Sequence, residues 1–392
     1  MNQLKVALLT REYPPEVYGG AGTHVEYLVR ELRHLAEVSV QCWGQPRNEP
    51  GVTAHQAWAE LNEPKPEASA LQAMSIDLAM AAASKGADVA HSHTWYANLG
   101  GHLAKLMWSI PHVVTVHSLE PLRPWKKEQL SGGYALSSYC ERTAIDAADA
   151  VIAVSSAVRE DVLKCYPAVS PDRVHVIHNG IDPEIYKRQP SKETLEKFGI
   201  DQSRPYAFFN GRITRQKGLP LLLAAALKTD PRHQLVIVAS SPDTPELAAE
   251  VNALIERVRK ERGNLVWIDH FISLEDLIHL HSSASLFICP SIYEPFGLVI
   301  LEAMACETAV VASKVGGIPE IIVEGETGYL VDYNRDDTEA FTTKLAARID
   351  EVMSDPALAN KMGKAGRARA VETFGWPKIA GRTVELYRSL LG

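Results

Sequence analysis

Short runs of β-branched and aliphatic residues alternate with helical periodicity along the whole chain. The apolar runs fall at Leu4 to Thr10, Val38 to Trp43, Asp88 to His91, His112 to His117, Ala150 to Ser155 and Val174 to His178. They resume at Tyr206 to Asn210, Leu235 to Ser240, Leu265 to Asp269, Leu286 to Ser291 and Ala309 to Ser313. Several are apolar at every position, as strands covered by helices on both faces are. Between them apolar side chains recur at three- and four-residue spacing, as at Val25, Leu28, Leu32 and Leu35, and predict amphipathic helices. This alternation predicts an α/β fold of doubly wound parallel sheets with right-handed crossovers.

About eleven strands exceed one open sheet of ordinary size, so two sheets are expected. The alternation lapses over 181–205, where Pro183, Pro190 and Pro205 stand among charged residues without a core-like run. The expected organisation is an N-terminal domain over 1–181, a connection over 182–205 and a second domain over 206–374. A final amphipathic helix over 375–392, with Ile379, Val384, Leu386, Tyr387 and Leu390 on its apolar side, is placed to cap either domain and is a candidate to cross back to the first. Ligands of such sheets bind beyond the carboxyl ends of the strands. The expected active site is therefore a cleft between two facing domains.

Composition narrows the class of partner. Of the 392 residues 46% are hydrophobic and 22% charged, which is ordinary for a globular chain and unlike a disordered one. Lys+Arg 40 against Asp+Glu 48 leaves a net charge of −8 with no block of like charge, so neither nucleic acid nor an anionic membrane is an expected partner. The first apolar stretch is broken by Arg11, unlike a signal peptide, and no apolar run reaches membrane-spanning length. Five cysteines without C-x-x-C spacing read as reduced thiols, and the chain reads as cytoplasmic.

The chemistry concentrates after the strands. Arg11 to Gly22 follows the first run and ends in Tyr18-Gly19-Gly20-Ala21-Gly22 before a helix, an arrangement that offers backbone N–H groups to an anion. A dinucleotide fingerprint begun at Gly20 needs glycine where Val25 stands, and the twelve-residue loop is too long for it, so a phosphate or sugar loop is favoured over an oxidoreductase or a plain turn. Gly211 to Gly218 brings Arg212 and Lys217 to a strand end beside a helix, where two cations suit a diphosphate. The run Glu294-Pro295-Phe296-Gly297-Leu298 enters a helix that carries Glu302. Carboxylates suit vicinal sugar hydroxyls, and the N–H groups of Phe296, Gly297 and Leu298 suit a phosphate; a capping and a surface glutamate are the plainer alternative. His91, His93 and His117 stand at strand ends, but the His91/His93 pair has no third ligand in sequence, so no metal site is expected. No two aspartates are separated by a single residue, which leaves a diphosphate to Arg212, Lys217 and helix N-termini, and no cofactor is expected.

In this order the motifs resemble the GT-B glycosyltransferases of the large retaining family that includes bacterial glycogen synthases and sucrose-phosphate synthases. Thr10 to Gly22, His91-Ser92-His93-Thr94-Trp95-Tyr96 and His117 to Trp125 look like the short bacterial members, including the actinobacterial type that makes α-maltose-1-phosphate. The resemblance implies two Rossmann-like domains and a retaining, metal-independent α-glucosyltransferase. The implied donor is ADP-glucose or UDP-glucose, and the implied acceptor an α-1,4-glucan or glucose-1-phosphate. It implies a catalytic set of His117, Glu294, Arg212 and Lys217: the two cations on the diphosphate, Glu294 on the 3- and 4-hydroxyls of glucose and His117 near O6. Glu302 would take the ribose, the Gly20 amide the diphosphate or sugar, and Phe296, Gly297 and Leu298 the rest of the donor. Glu12, His93, Arg123 and Lys126 are the acceptor-side candidates. Longer glycogen synthases carry a lysine where Val17-Tyr18 stands and an aspartate where Thr94 stands, so a small acceptor gains weight. A non-catalytic sugar-nucleotide-binding regulator, or transfer to another small acceptor, is the alternative, and a homodimer is the assembly to be tested.

Overall fold

Each of the apolar runs forms a strand in the computed structural model, which describes residues 3–17, 19–61, 68–123 and 133–392. In the first unit, Met1–Gly180 with Trp376–Gly392, the strands are β1 (Lys5–Thr10), β2 (Glu37–Trp43), β3 (Val52–His55), β4 (Val89–His93), β5 (His112–Val116), β6 (Ala150–Ala153) and β7 (Val174–Val176). They pair in parallel in the order β3-β2-β1-β4-β5-β6-β7. The connecting helices are α1 (Gly20–Leu32), α2 (Ala68–Ala83), α3 (Trp95–Trp108), α4 (Tyr134–Ala147) and α5 (Ser156–Cys165).

The second unit, Ile181–Gly375, opens with α6 (Lys192–Lys197) and holds β8 (Tyr206–Arg212), β9 (Gln234–Ser240), β10 (Leu265–Ile268), β11 (Leu286–Cys289), β12 (Ala309–Ser313) and β13 (Gly328–Val331). These strands are also parallel, in the order β10-β9-β8-β11-β12-β13. Its other helices are α7 (Leu219–Ala226), α8 (Pro245–Glu261), α9 (Leu274–Ser283), α10 (Leu298–Ala305), α11 (Ile318–Ile321), α12 (Thr338–Ser354) and α13 (Pro356–Phe374). Strand order reverses between β1 and β4 and again between β8 and β11, so the loops after these four strands are the natural ligand positions.

Two strands, β3 and β13, correspond to no apolar run. Both lie at a sheet edge, are four residues long and carry exposed or half-buried side chains such as Thr53 and Tyr329. An edge strand is covered less than a central one, so its sequence needs less apolar character. Residues 182–205, read as a connection, pack into the second unit through buried Tyr186, Leu195 and Ile200, with Asp182 accepting the Glu184 N–H at 2.8 Å. The last helix, α14 (Trp376–Leu391), packs in the first unit beside α1. Its Trp376 indole lies where a Cβ on Gly180 would stand, 2.5 Å from Cδ2. Arg382 donates to the Val176 carbonyl at 2.7 Å. Among the described residues no helix is long and apolar enough to cross a membrane. The five cysteines are unbridged, and all but Cys165 are buried.

Helices α2 and α3 approach closely because Ala70 and Ala73 on one and Ala97, Gly100 and Ala104 on the other are small. Asp77 is buried in this contact, and neither carboxyl oxygen makes a well-formed hydrogen bond among the described residues. Burial holds its pKa well above the ordinary carboxyl range, opposed by the Gly100 amide. Asp77 is ionised in the unfolded chain above about pH 4 but protonated when folded, so native stability falls as pH rises past that point. Asp77→Asn removes this linkage. Thermal melts from pH 5 to pH 8 are expected to show the variant gaining on the parent chain by up to about 1.4 kcal/mol per pH unit. A gap independent of pH would mean that the folded carboxyl is ionised and paired.

Candidate active site

In the second unit two adjacent strand ends are tied together. β8 runs through Arg212, and a single 3-10 turn, Arg215–Lys217, follows, with Thr214 Oγ1 accepting the Lys217 N–H at 3.3 Å. The Ile292 N–H, beyond β11, donates to the Gln216 carbonyl at 2.9 Å. This brings Lys217 to the β11 loop. Lys217 Nζ donates to Glu294 Oε2 at 2.7 Å, and Ser291 Oγ donates to the same oxygen at 3.1 Å. Glu294 is only 6% exposed. Burial works against the Lys217 ammonium, but the Glu294 carboxylate beside it prevails and the lysine pKa lies above its ordinary value.

The other cations divide. Arg215 turns to Glu250 at 3.2 Å. Arg212 is exposed at the end of β8 and forms no ion pair among the described residues. Among the described residues Arg212 thus stands without a counter-charge beside a neutralised pair. The Phe296 ring is buried against Phe374, with centroids 5.8 Å apart, so its side chain belongs to the core and its peptide is what a ligand can meet. Gly297 caps α10 and Leu298 opens it. Glu302 lies one turn further along, and the Tyr186 hydroxyl donates to its Oε1 at 3.4 Å. Burial pushes the Glu302 carboxyl up to about 7, with Tyr186 and Lys217 pulling the other way.

In the first unit the loop after β1 is built on Glu12. Its Oε2 accepts the Gly19 N–H at 2.9 Å and lies 2.7 Å from where a Cβ on Gly22 would be, so Gly22 cannot carry a side chain without moving the carboxylate. Glu12, an acceptor-side candidate by sequence, is thus engaged in shaping the loop. Gly20 opens α1 behind Gly19, which has no side chain to cap it, and the first-turn N–H groups have no intrahelical partners.

The strand ends β4 and β5 bring His93 Nδ1 within 3.1 Å of His117 Nε2. His24, from the first turns of α1, lies 4.7 Å from the His117 ring and 5.4 Å from that of His93, centroid to centroid. His91 is turned elsewhere, with Nδ1 2.5 Å from the Tyr387 hydroxyl and Nε2 2.7 Å from Thr115 Oγ1. The loop after His117 is anchored by buried Glu120, whose N–H donates to Glu141 Oε1 at 2.9 Å, while the Tyr166 hydroxyl donates to the same oxygen. Burial pushes Glu141 up to about 8. Arg123 folds back onto this loop, 3.0 Å from Ser118 Oγ and 3.6 Å from Glu120, and is not held out toward a ligand. Lys126 lies outside the described residues.

Residues 18–185 match the pattern of Glycosyltransferase Family 4, and residues 190–369 that of Glycosyl transferases group 1. The α-maltose-1-phosphate synthase of Mycolicibacterium smegmatis is 50% identical over 394 residues, covering 99% of this chain and 100% of that one. The protein of the same name from Mycobacterium tuberculosis is 50% identical over 390 residues, with the same coverage. The chain belongs to the GT-B glycosyltransferases. Among solved structures, sucrose-phosphate synthase from Thermosynechococcus elongatus matches this glycosyltransferase with a TM-score of 0.80 at 25% identity, over 99% of both chains.

In this glycosyltransferase the clustered His24, His91, His93 and His117 are held neutral by burial. Burial pushes His91 down to about 3 and His117 to about 4, and holds His24 and His93 well below the ordinary imidazole value. Near neutral pH His117 therefore offers one N–H and one lone pair, not a positive charge. Two residues at these half-sites escaped the sequence reading. His24 is a single histidine on a helix, and only its place in the first turns after the glycine loop marks it. Tyr186 lies in the segment read as a connection and carried no signal at all. Sequence spacing leaves the His91/His93 pair without a third ligand, whereas the fold groups His93 with His24 and His117.

Proposed function

We propose that this enzyme transfers glucose, with retention, from ADP-glucose to glucose-1-phosphate and so makes α-maltose-1-phosphate, with UDP-glucose as the weaker donor and α-1,4-glucan as the competing acceptor. The observation that carries the reading is the buried Lys217–Glu294 pair beside Arg212, which has no ion-pair partner among the described residues, in a chain 50% identical over 99% of its length to two α-maltose-1-phosphate synthases. Arg212 and Lys217 take the diphosphate, helped by the N–H groups of Gly20, Gly297 and Leu298. Glu294 takes the 3- and 4-hydroxyls of glucose, Glu302 the ribose and His117 the region of O6.

In the reaction the bond from glucose C1 to the diphosphate oxygen breaks. A bond from C1 to an acceptor hydroxyl oxygen forms on the same face, and the hydroxyl proton passes to the departing phosphate. Charge grows on that phosphate in the transition state, where fixed cations and N–H groups stabilise most. The protein supplies no nucleophile in this scheme. A regulator without turnover has no use for the complete set of Arg212, Lys217, Glu294 and Glu302. The deciding experiment offers ADP-glucose or UDP-glucose with glucose-1-phosphate, glycogen and maltooligosaccharides in competition and analyses the products. Maltose-1-phosphate as the first product supports the proposal, while exclusive extension of glycogen overturns the acceptor and nucleotide binding without release from any donor overturns the reaction.

Glu302 makes donor binding depend on pH. Ribose hydroxyls donate to an ionised carboxylate, and a group titrating near 7 is about nine-tenths ionised at pH 8 and one-tenth at pH 6. The affinity for ADP-glucose without acceptor, read by calorimetry, is expected to weaken about tenfold from pH 8 to pH 6. Glu302→Gln is expected to flatten that profile at the weak end; an unchanged profile would remove Glu302 from the donor site.

A further inference from the structure

His24, His93 and His117 come from three separate elements, and one ring nitrogen of each lies within 4.8 Å of the others. His24 and His93 are 3% and 0% exposed, and His117 is half-buried. Among the described residues no well-formed hydrogen bond reaches Nε2 of His93, and the Asn179 side chain is the hydrogen-bonding neighbour of the His24 ring. An ion that takes one nitrogen from each ring would use lone pairs that the packing of these three rings turns toward one another. The walls around it are aromatic: the Trp376 indole meets the His24 ring edge-on at 5.2 Å. His91, although its ring is 4.3 Å from that of His93, has both nitrogens engaged by Tyr387 and Thr115 and stands outside the group.

We propose that His24, His93 and His117 form a binding site for a zinc-like divalent cation. Three imidazoles without a carboxylate suit zinc, copper or nickel and not magnesium or calcium, which take oxygen ligands. Zinc–nitrogen bonds of 2.0–2.1 Å place tetrahedral ligand nitrogens about 3.3 Å apart. The His93 Nδ1 to His117 Nε2 separation, a hydrogen bond of 3.1 Å without the ion, already has that length, and the remaining ligand nitrogens, within 4.8 Å, have to draw in by side-chain rotation. His117, the half-buried member, marks the side of entry and of the open fourth position. Resting on the proposed function, in which His117 meets the sugar, a bound cation takes the His117 lone pair and inhibits transfer.

The test uses the full chain stripped with chelator, dialysed against Zn²⁺ alone and assayed for metal by mass spectrometry, with Co²⁺ in parallel for its visible absorption. One equivalent of zinc per chain and a cobalt spectrum of nitrogen ligation are expected. Affinity should fall at least about 100-fold in His24→Phe, which keeps the ring against Trp376, and in His117→Ala, the least buried member should the first variant fold poorly. Exposed His270 serves as control, and His270→Ala is expected to bind as the parent does. Zinc retained equally by the parent, His24→Phe and His117→Ala, or by none of them, overturns the site. Inhibition by zinc that His24→Phe relieves supports its coupling to transfer. Stoichiometric binding without inhibition leaves the metal site standing and overturns the placing of His117 at the sugar.

Discussion

Glu294→Gln is expected to lower kcat on the order of 10²–10³-fold while the protein remains folded at 25 °C. Glu294 Oε2 is held by Lys217 at 2.7 Å and Ser291 at 3.1 Å, so its position is set before any ligand arrives. Glutamine keeps the shape and one acceptor but removes the charge, which weakens hydrogen bonds from sugar hydroxyls and releases Lys217 from its counterion. The pair is not fully dry, with Lys217 24% exposed at its side chain, so the stability cost is below the roughly 3–5 kcal/mol of breaking a buried pair. A melting temperature a few degrees lower is expected. Glu294→Gln combined with Lys217→Met restores part of that loss, because no unpaired ammonium remains, yet does not restore turnover. Steady-state kinetics and thermal melts of the parent, Glu294→Gln and the double variant decide it. Full turnover in Glu294→Gln would remove this carboxylate from the reaction.

Gly218→Ala is expected to abolish measurable donor binding, with an affinity loss of about 100-fold or more, and to destabilise the chain by more than about 2 kcal/mol. Gly218 has φ +67 and ends the 3-10 turn of Arg215–Lys217 while opening α7. A Cβ there would lie 2.0 Å from the Pro290 carbonyl oxygen and 2.9 Å from its carbon, so the turn cannot stay against the end of β11. Displacing it carries Lys217 away from Glu294 and breaks the Ile292 to Gln216 link. Gly199 supplies the comparison, because it shares the left-handed backbone at φ +68 but has nothing within 4 Å of an added Cβ. Gly199→Ala is expected to cost only about 1 kcal/mol and to bind donor normally. Calorimetry with ADP-glucose and urea melts check both; equal behaviour of the two variants would mean that contact with Pro290 does not hold the site.

The central strands were legible because parallel strands covered on both faces are apolar throughout. Two of the four edge strands, β3 and β13, were not, since partial exposure relaxes that demand. At the candidate site, Gly211 to Gly218 and Glu294 to Glu302 could be placed on a strand end and a helix start from spacing alone. What spacing could not show is which charges are already spent. Arg215 on Glu250 and Arg123 on Glu120 look in sequence like free cations of the same kind as Arg212, and Glu12 on the Gly19 amide looks like a free carboxylate.

By itself the sequence determined the two parallel sheets, the loops at their switch strands and the family, because these follow from local periodicity and from motifs within a few residues. Tertiary structure alone decided that His93 joins His24 and His117 while both nitrogens of His91 are engaged elsewhere, that Lys217 reaches Glu294, and that the last helix closes on α1. Each of these joins residues far apart in the chain. Their meeting depends on strand order and on alternation of side chains across a strand: His91 and His93 lie on one face, yet hydrogen bonding to Tyr387 and Thr115 turns the first away and leaves the second to its neighbours.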